Sequence, residues 1–235
     1  MPMKNKVLSF YDWFLIVGVI VSNILYTVLS GDVDIVGSIA GIAGVLCVVL
    51  VAKGSIWNYV FGLVNVSMYA YISYKAALYG DAALNALYYL PMQFIGWWQW
   101  RKRGAAMISA ESDGKGVQVT ARRFTWRQRL LLGVGCVAAV FVVGLILDSV
   151  GDPQPFKDST TTVFSIVAQA LMALAFMEQW FLWIITNIVS VAMWVVCVTR
   201  GEAHAAVMVI MWIFYLLNSI NGLRVWMKLS RPNLD

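Results

Sequence analysis

Long unbroken apolar runs separated by short polar links set the pattern of this chain. Eight runs are long enough for helices, over residues 12–29, 35–52, 56–74, 84–100, 130–147, 161–177, 180–199 and 203–226. The shortest of these hold about 17 residues, close to the lower limit for crossing a hydrocarbon core of about 30 Å. The runs lack the in–out alternation that separates a lipid face from a lumen face, which disfavours a β-barrel. The pattern predicts an all-α integral membrane protein with eight transmembrane helices.

Composition agrees. Of 235 residues, 61% are hydrophobic and 12% charged, against about 25% charged in soluble chains. A disordered chain, a disulfide scaffold and a soluble enzyme are all poor fits to so apolar a sequence. Cys47, Cys136 and Cys197 are widely spaced inside apolar runs and read as packing side chains, not as a redox pair or metal cage. His204 is the one histidine, beside a charged turn. No metal site, cofactor or catalytic group is expected, and the net charge of +5 points to loops at a lipid surface, not to nucleic acid.

The charges are unevenly placed. Alternating the spans from a cytoplasmic start puts Lys4, Lys6, Lys53, Arg101, Lys102, Arg103, Lys115, Arg122, Arg123, Arg127, Arg129, Arg224, Lys228 and Arg231 on one side. Only Lys75, Lys157 and Arg200 fall on the other, a split of 14 against 3 of the 17 Lys and Arg. A bias of that size predicts both termini in the cytoplasm. Lys4 and Lys6 before an apolar run resemble the start of a signal peptide. The run is longer than a usual signal core, however, and lacks a small-x-small cleavage site, so it is expected to stay as a first helix. Residues 101–129 form the one long polar connection, read as a basic anchor at the lipid surface.

Two segments look alike. Residues 57–100 and 180–226 each open on a tryptophan, carry an asparagine soon after (Asn65, Asn187), turn through a charged link (Gly80-Asp81, Gly201-Glu202) and end aromatic-then-basic. Adding the preceding helix gives two three-helix units, 35–100 and 161–226, with one helix between them. Corresponding helices then lie four spans apart, so the units enter the membrane in the same direction as a parallel repeat, a plan used by transporters. The expected divisions are 1–34 for an extra first helix, 35–100 for the first unit, 101–158 for the basic loop, linker helix and external loop, and 159–235 for the second unit and tail.

Helical spacing then groups the polar residues. Trp180, Trp183, Asn187, Ser190 and Trp194 share one face, as do Asn58, Phe61, Asn65 and Tyr69. Asn85, Tyr89, Gln93 and Gly96 form another stripe, and Thr162, Ser165, Gln169 and Phe176 a third. In the last span Met211, Tyr215, Ser219, Gly222 and Trp226 cluster, with Asn218 at the edge. An unpaired amide in hydrocarbon is costly, so these groups should face inward, either bonding a neighbouring helix or meeting a ligand. Trp57, Trp97, Trp98, Trp100 and Trp226, near span ends, read as interface anchors. Gly37, Gly41 and Gly44 read as close helix packing, and Glu178 as a solvated turn residue. No acid, Lys or Arg lies well inside a span, which argues against a proton relay or ion path. A cavity of Trp rings and amides suits a flat, neutral or singly cationic ring carrying an amide and hydroxyls, and serves a phosphate badly.

At these residues the chain resembles the PnuC family of bacterial nicotinamide riboside transporters. The resemblance rests on Gly41-Ile42-Ala43-Gly44, Asn58-Tyr59, Phe61 to Val66 and Gly96-Trp97-Trp98-Gln99-Trp100. In the second half it rests on Glu178 to Trp183 with Asn187 to Val191, similar to a Trp-x-x-Trp-x-x-x-Asn signature, and on Leu217 to Gly222. It covers roughly residues 35–228. It implies a three-plus-one-plus-three architecture like a SWEET sugar transporter with an extra N-terminal helix, a homotrimer, and facilitated diffusion of nicotinamide riboside across the bacterial inner membrane, drawn by intracellular phosphorylation. It also implies that Trp183, Asn187 and Trp180 lie beside the substrate. Gln93, Asn65, Tyr69, Asn58, Gln169, Tyr89 and Ser190 join the candidate site through the stripes alone. The residues by themselves leave open another nucleoside, a thiamin-like vitamin, a sugar, or a receptor that binds without transporting.

Overall fold

A computed structural model of the chain describes residues 10–30, 35–75, 82–108, 121–151, 154–201 and 205–230. The charged links at Gly80-Asp81 and Glu202, the histidine His204, and Lys4, Lys6, Lys115 and Arg231 lie outside the described residues. Within them the chain is helical: α1 (Phe10–Ser30), α2 (Ile35–Ala52), α3 (Asn58–Lys75), α4 (Leu90–Ile108), α5 (Trp126–Ser149), α6 (Pro155–Ala173), α7 (Gln179–Thr199) and α8 (Ala205–Leu229). By length and composition α2, α5, α7 and residues 208–229 of α8 could each cross a membrane unaided. α3, α4 and α6 carry the Tyr, Asn, Gln, Ser and Thr that lower their hydropathy.

Two boundaries differ from the sequence pattern for local reasons. The chain enters α4 through a π-helical turn, Leu84–Tyr89, in which the Leu90 N–H reaches back to the Asn85 carbonyl. Pro91 follows at once; it cannot donate a backbone bond, and the turn before it widens. The sixth span was expected to run to residue 177, yet α6 stops at Ala173 because Ala175 adopts a φ of 61°.

That stop is built like an earlier one. At the end of α2 the Gly54 N–H bonds the Val51 carbonyl at 2.9 Å and the Ser55 N–H bonds the Leu50 carbonyl at 2.9 Å, with Gly54 at a φ of 67°. At the end of α6 the Ala175 N–H bonds the Met172 carbonyl at 2.9 Å and the Phe176 N–H bonds the Leu171 carbonyl at 2.8 Å. Both are Schellman turns. Glycine fills the left-handed position without strain in the first; alanine holds it under strain in the second.

Glycines let the helices close on aromatic rings. A Cβ on Gly96 of α4 would lie within 2.4 Å of the Tyr59 ring of α3, and one on Gly222 of α8 within 2.4 Å of the Trp180 ring of α7. Gly44 of α2 faces the Asn65 amide of α3, in line with its expected packing role. Overfilling a packed interior costs about 1–3 kcal/mol, so Gly96→Ala and Gly222→Ala should each lower thermal stability in detergent by that amount. Gly133→Ala in α5, where a Cβ would meet nothing within 4 Å, should leave the melting temperature unchanged or slightly raised.

α1 lies against α2 and α8. Asp12 in its first turn is buried and pairs with Lys53 Nζ at 2.6 Å, the Tyr11 hydroxyl donates to the Leu217 carbonyl at 2.9 Å, and Gly18 abuts the Phe214 ring. At the same end of the bundle, residues 121–125 lie along the α6–α7 turn as a short parallel bridge. The Arg122 N–H donates to the Ala175 carbonyl at 2.7 Å, and the Met177 N–H donates to the Arg122 carbonyl at 3.0 Å. Glu178 in this turn is 1% exposed, not solvated as its position between spans suggested. Its Oε1 accepts from Arg129 at 2.9 Å and from the Phe124 N–H at 3.1 Å.

Candidate functional site

The candidate residues fall along the seams between helices. Asn187 is buried on α7 and donates through Nδ2 to the Ser219 hydroxyl of α8 at 2.7 Å; that hydroxyl donates in turn to the Tyr215 carbonyl. Ser190, one turn short of Trp194, is buried on α7 as well. Trp183, between Trp180 and Asn187, is half-buried and packs against two separate apolar clusters: one built around Tyr59, Trp100, Trp180 and Trp226, the other around Phe164, Leu171 and Leu182. It therefore bridges two halves of the interior.

In the first half the amides mostly join helices. Asn65 Nδ2 donates to the Ala40 carbonyl of α2 at 2.8 Å. Asn58, wholly buried, donates to the Ser55 carbonyl at 2.7 Å. Tyr89 donates to the Ser165 hydroxyl at 2.9 Å and Tyr88 to the Ile166 carbonyl at 2.6 Å, which ties the π-turn to α6. Tyr69 is 50% exposed, so the α3 stripe runs from buried at Asn58 to half-exposed at Tyr69.

Gln93 and Gln169 are among the buried carboxamides that keep an atom without a protein partner, as Asn58, Gln179 and Asn218 also do. Gln93 donates through Nε2 to the Tyr89 carbonyl at 3.2 Å, while its Oε1 accepts nothing; Gln169 has a free Nε2. Both side chains are buried. Each lies one helical turn beyond a member of the Tyr89–Ser165 pair, on helices that run the same way. The two helices thus supply one spare acceptor, Gln93 Oε1 against Gly62 of α3, and one spare donor, Gln169 Nε2 on α6. That is the complement of a primary carboxamide.

Two hollows flank these seams. One of about 330 Å³ is lined by Tyr59, Val60, Leu63, Gln93, Phe94 and Trp97 between α3 and α4. A shallower one of about 710 Å³ lies on the outer face of α5, among Trp126, Leu130, Val134 and Phe141. All lining groups of the second are apolar except Arg129, as expected of a surface turned towards lipid or a neighbouring chain.

Trp100 and Trp226, expected as anchors at the lipid interface, are instead among the most buried side chains, 1% and 0% exposed. The Trp100 Nε1–H donates to the Met172 carbonyl at the end of α6 at 2.8 Å, and the Trp226 Nε1–H donates to the Val51 carbonyl at the end of α2 at 2.9 Å. Their rings are 5.6 Å apart. Tyr59 meets Trp100 edge-on at 5.1 Å and Trp180 meets Trp226 edge-on at 6.0 Å, which completes a row of four rings. A signal for them exists in the sequence: Gly96-x-x-x-Trp100 and Gly222-x-x-x-Trp226 share one spacing. In each case the glycine admits the outer ring of the row.

Comparison with known proteins agrees with the PnuC resemblance. A family model described as nicotinamide mononucleotide transporter matches residues 34–228. The nicotinamide riboside transporter PnuC of Neisseria mucosa is 42% identical over 194 residues, 83% of this chain and 72% of that one. Its namesake from Haemophilus influenzae is 36% identical, over 82% of this chain and 79% of its own. The crystal structure of the vitamin B3 transporter PnuC is 38% identical with a TM-score of 0.75, over 94% of this chain and 92% of that one.

Proposed function

The chain belongs to the nicotinamide mononucleotide transporter family, and on that premise we propose that it carries nicotinamide riboside, not the nucleotide, into the cell by facilitated diffusion. One observation supports this most: the candidate seams offer indole rings and half-satisfied carboxamides with no fixed charge among them. Trp183 stacks on the pyridinium, a contact of about 0.5–2 kcal/mol for a cation over an indole face. Gln93 Oε1 and Gln169 Nε2 take the carboxamide, and Asn187 with Ser190 takes the ribose. A phosphate would ask for Arg or Lys, and those lie at the bundle ends.

Architecture and placement follow from the same reading. All eight helices cross the bacterial inner membrane, α2–α4 and α6–α8 form parallel units linked by α5, and α1 stands outside. The repeated turn and the paired indole bonds support that arrangement. Lys53, Arg101, Arg122, Arg129 and Arg224 mark the cytoplasmic face, with both termini on that side. The assembly is a homotrimer. Rocking of one unit against the other exposes the site to each side in turn, and intracellular phosphorylation traps the product.

Counterflow in proteoliposomes tests the mechanism. Labelled nicotinamide riboside should exchange against internal unlabelled riboside with no ion gradient, and the mononucleotide should compete at least about tenfold more weakly, since burying an unpaired charge costs well over 1.4 kcal/mol. A requirement for a proton or sodium gradient would overturn uniport. Stronger competition by riboflavin, thiamin or another nucleoside would reassign the cargo.

A further inference from the structure

We propose that Trp100 and Trp226 form the inner gate of the transport path, a double latch that joins the two three-helix units at their basic end and must open to release cargo; this rests on the transporter reading above. Each latch crosses between units. Trp100 of the first bonds Met172 of the second, and Trp226 of the second bonds Val51 of the first. Both accepting carbonyls sit in the last turn of a helix, where the dipole makes them strong acceptors.

The ring row lies in the way of any path along the seam. Tyr59, Trp100, Trp226 and Trp180 run without a break from α3 to α7, and Trp183 stands one turn further into the membrane from Trp180. Cargo held by Trp183 therefore meets this row on its way to the basic face. The surroundings suit a contact that breaks. Asn58 Oδ1, the Tyr59 hydroxyl, both amide atoms of Gln179 and Trp180 Nε1 are all buried beside the row without a protein partner. Groups left unpaired in a dry interior oppose closure, and water admitted between the units would satisfy them. The closed latch and the wetted open state are then close enough in free energy to exchange, as a gate requires.

Cys47 reports the opening. It lies one turn before Val51 on α2 and packs against the same cluster, so releasing Trp226 uncovers it. Two single-cysteine backgrounds are made, one retaining Cys47 and the other retaining Cys136, which is buried on α5 away from the row. Membrane-impermeant maleimide is applied to inverted vesicles. Trp100→Phe and Trp226→Phe should each speed labelling of Cys47 about tenfold, the factor by which losing one hydrogen bond shifts a two-state equilibrium, and leave Cys136 unchanged. Unchanged labelling of both cysteines would make the row a fixed pivot and overturn the gate. Faster labelling of both would show loosened folding and overturn it too. Labelling is read without cargo, so failure of the wild type to bind nicotinamide riboside would sink the substrate reading and leave the gate standing.

Discussion

Trp183→Ala should weaken nicotinamide riboside binding by about thirtyfold, which is the loss of about 2 kcal/mol of desolvated cation–π contact. The expectation is large because this indole is neither committed to the ring row, as Trp180 is, nor turned outward, as Phe181 is, and it packs where the two apolar clusters meet, which Trp194 further along α7 does not. Trp183→Phe keeps a π face and should recover most of the affinity. Calorimetric titration of detergent-purified protein measures both variants. The same truncation removes packing against two clusters, so some thermal stability is lost as well. Affinity and melting temperature separate the roles: a packing residue lowers the melt and leaves the dissociation constant of the surviving folded protein unchanged. Equal riboside affinity in wild type and Trp183→Ala would assign the ring to packing alone. The mononucleotide should bind poorly to both, since the indoles and carboxamides of the candidate site offer its phosphate no Arg or Lys.

Much of this arrangement is legible in the sequence, and the gaps have physical causes. The span at 35–52 ends where α2 ends, because the apolar run stops at Lys53 and Gly54 takes the left-handed position behind it. The end of α6 is not legible. Gly54 announces the left-handed stop of α2, whereas Ala175 holds the same conformation against its own preference and gives no sign in composition. Trp100 and Trp226 show the same limit. Their distance from a span end is visible and suggests a lipid interface, but the carbonyls that receive them lie 72 and 175 residues away.

The candidate amides divide in the same way. Helical periodicity turns Asn187, Gln93 and Gln169 inward without revealing which of their atoms a neighbouring helix consumes. Asn65 and Asn187 spend a donor on Ala40 and Ser219, and Tyr89 spends its hydroxyl on Ser165. What remains for a ligand is a smaller set than the stripes suggest. The spare atoms of Gln93, against α3, and of Gln169 emerge only once the helices are packed together.

Glu178→Ala should lower the stability of the folded protein by about 3–5 kcal/mol, the cost of removing one partner from a buried ion pair. One oxygen, Oε1, accepts from the Arg129 guanidinium and from the Phe124 N–H. Its loss strands both donors at the turn where residues 121–125 meet α6 and α7. Glu178→Gln preserves an acceptor and gives up the charge, so its loss should be smaller, about 1.5–3 kcal/mol. Arg129 is partly exposed while Glu178 is not. Arg129→Ala leaves the uncompensated charge on the more deeply buried member, and is expected to be as damaging as Glu178→Ala. The double variant separates pairing from packing: if the two groups act as a pair, its destabilisation falls well short of the sum of the single losses. Thermal unfolding in detergent, followed by tryptophan fluorescence, measures all four proteins. Additive losses would mean that the carboxylate and the guanidinium act separately, and that residues 121–125 are held on the turn by their two backbone bonds to Ala175 and Met177.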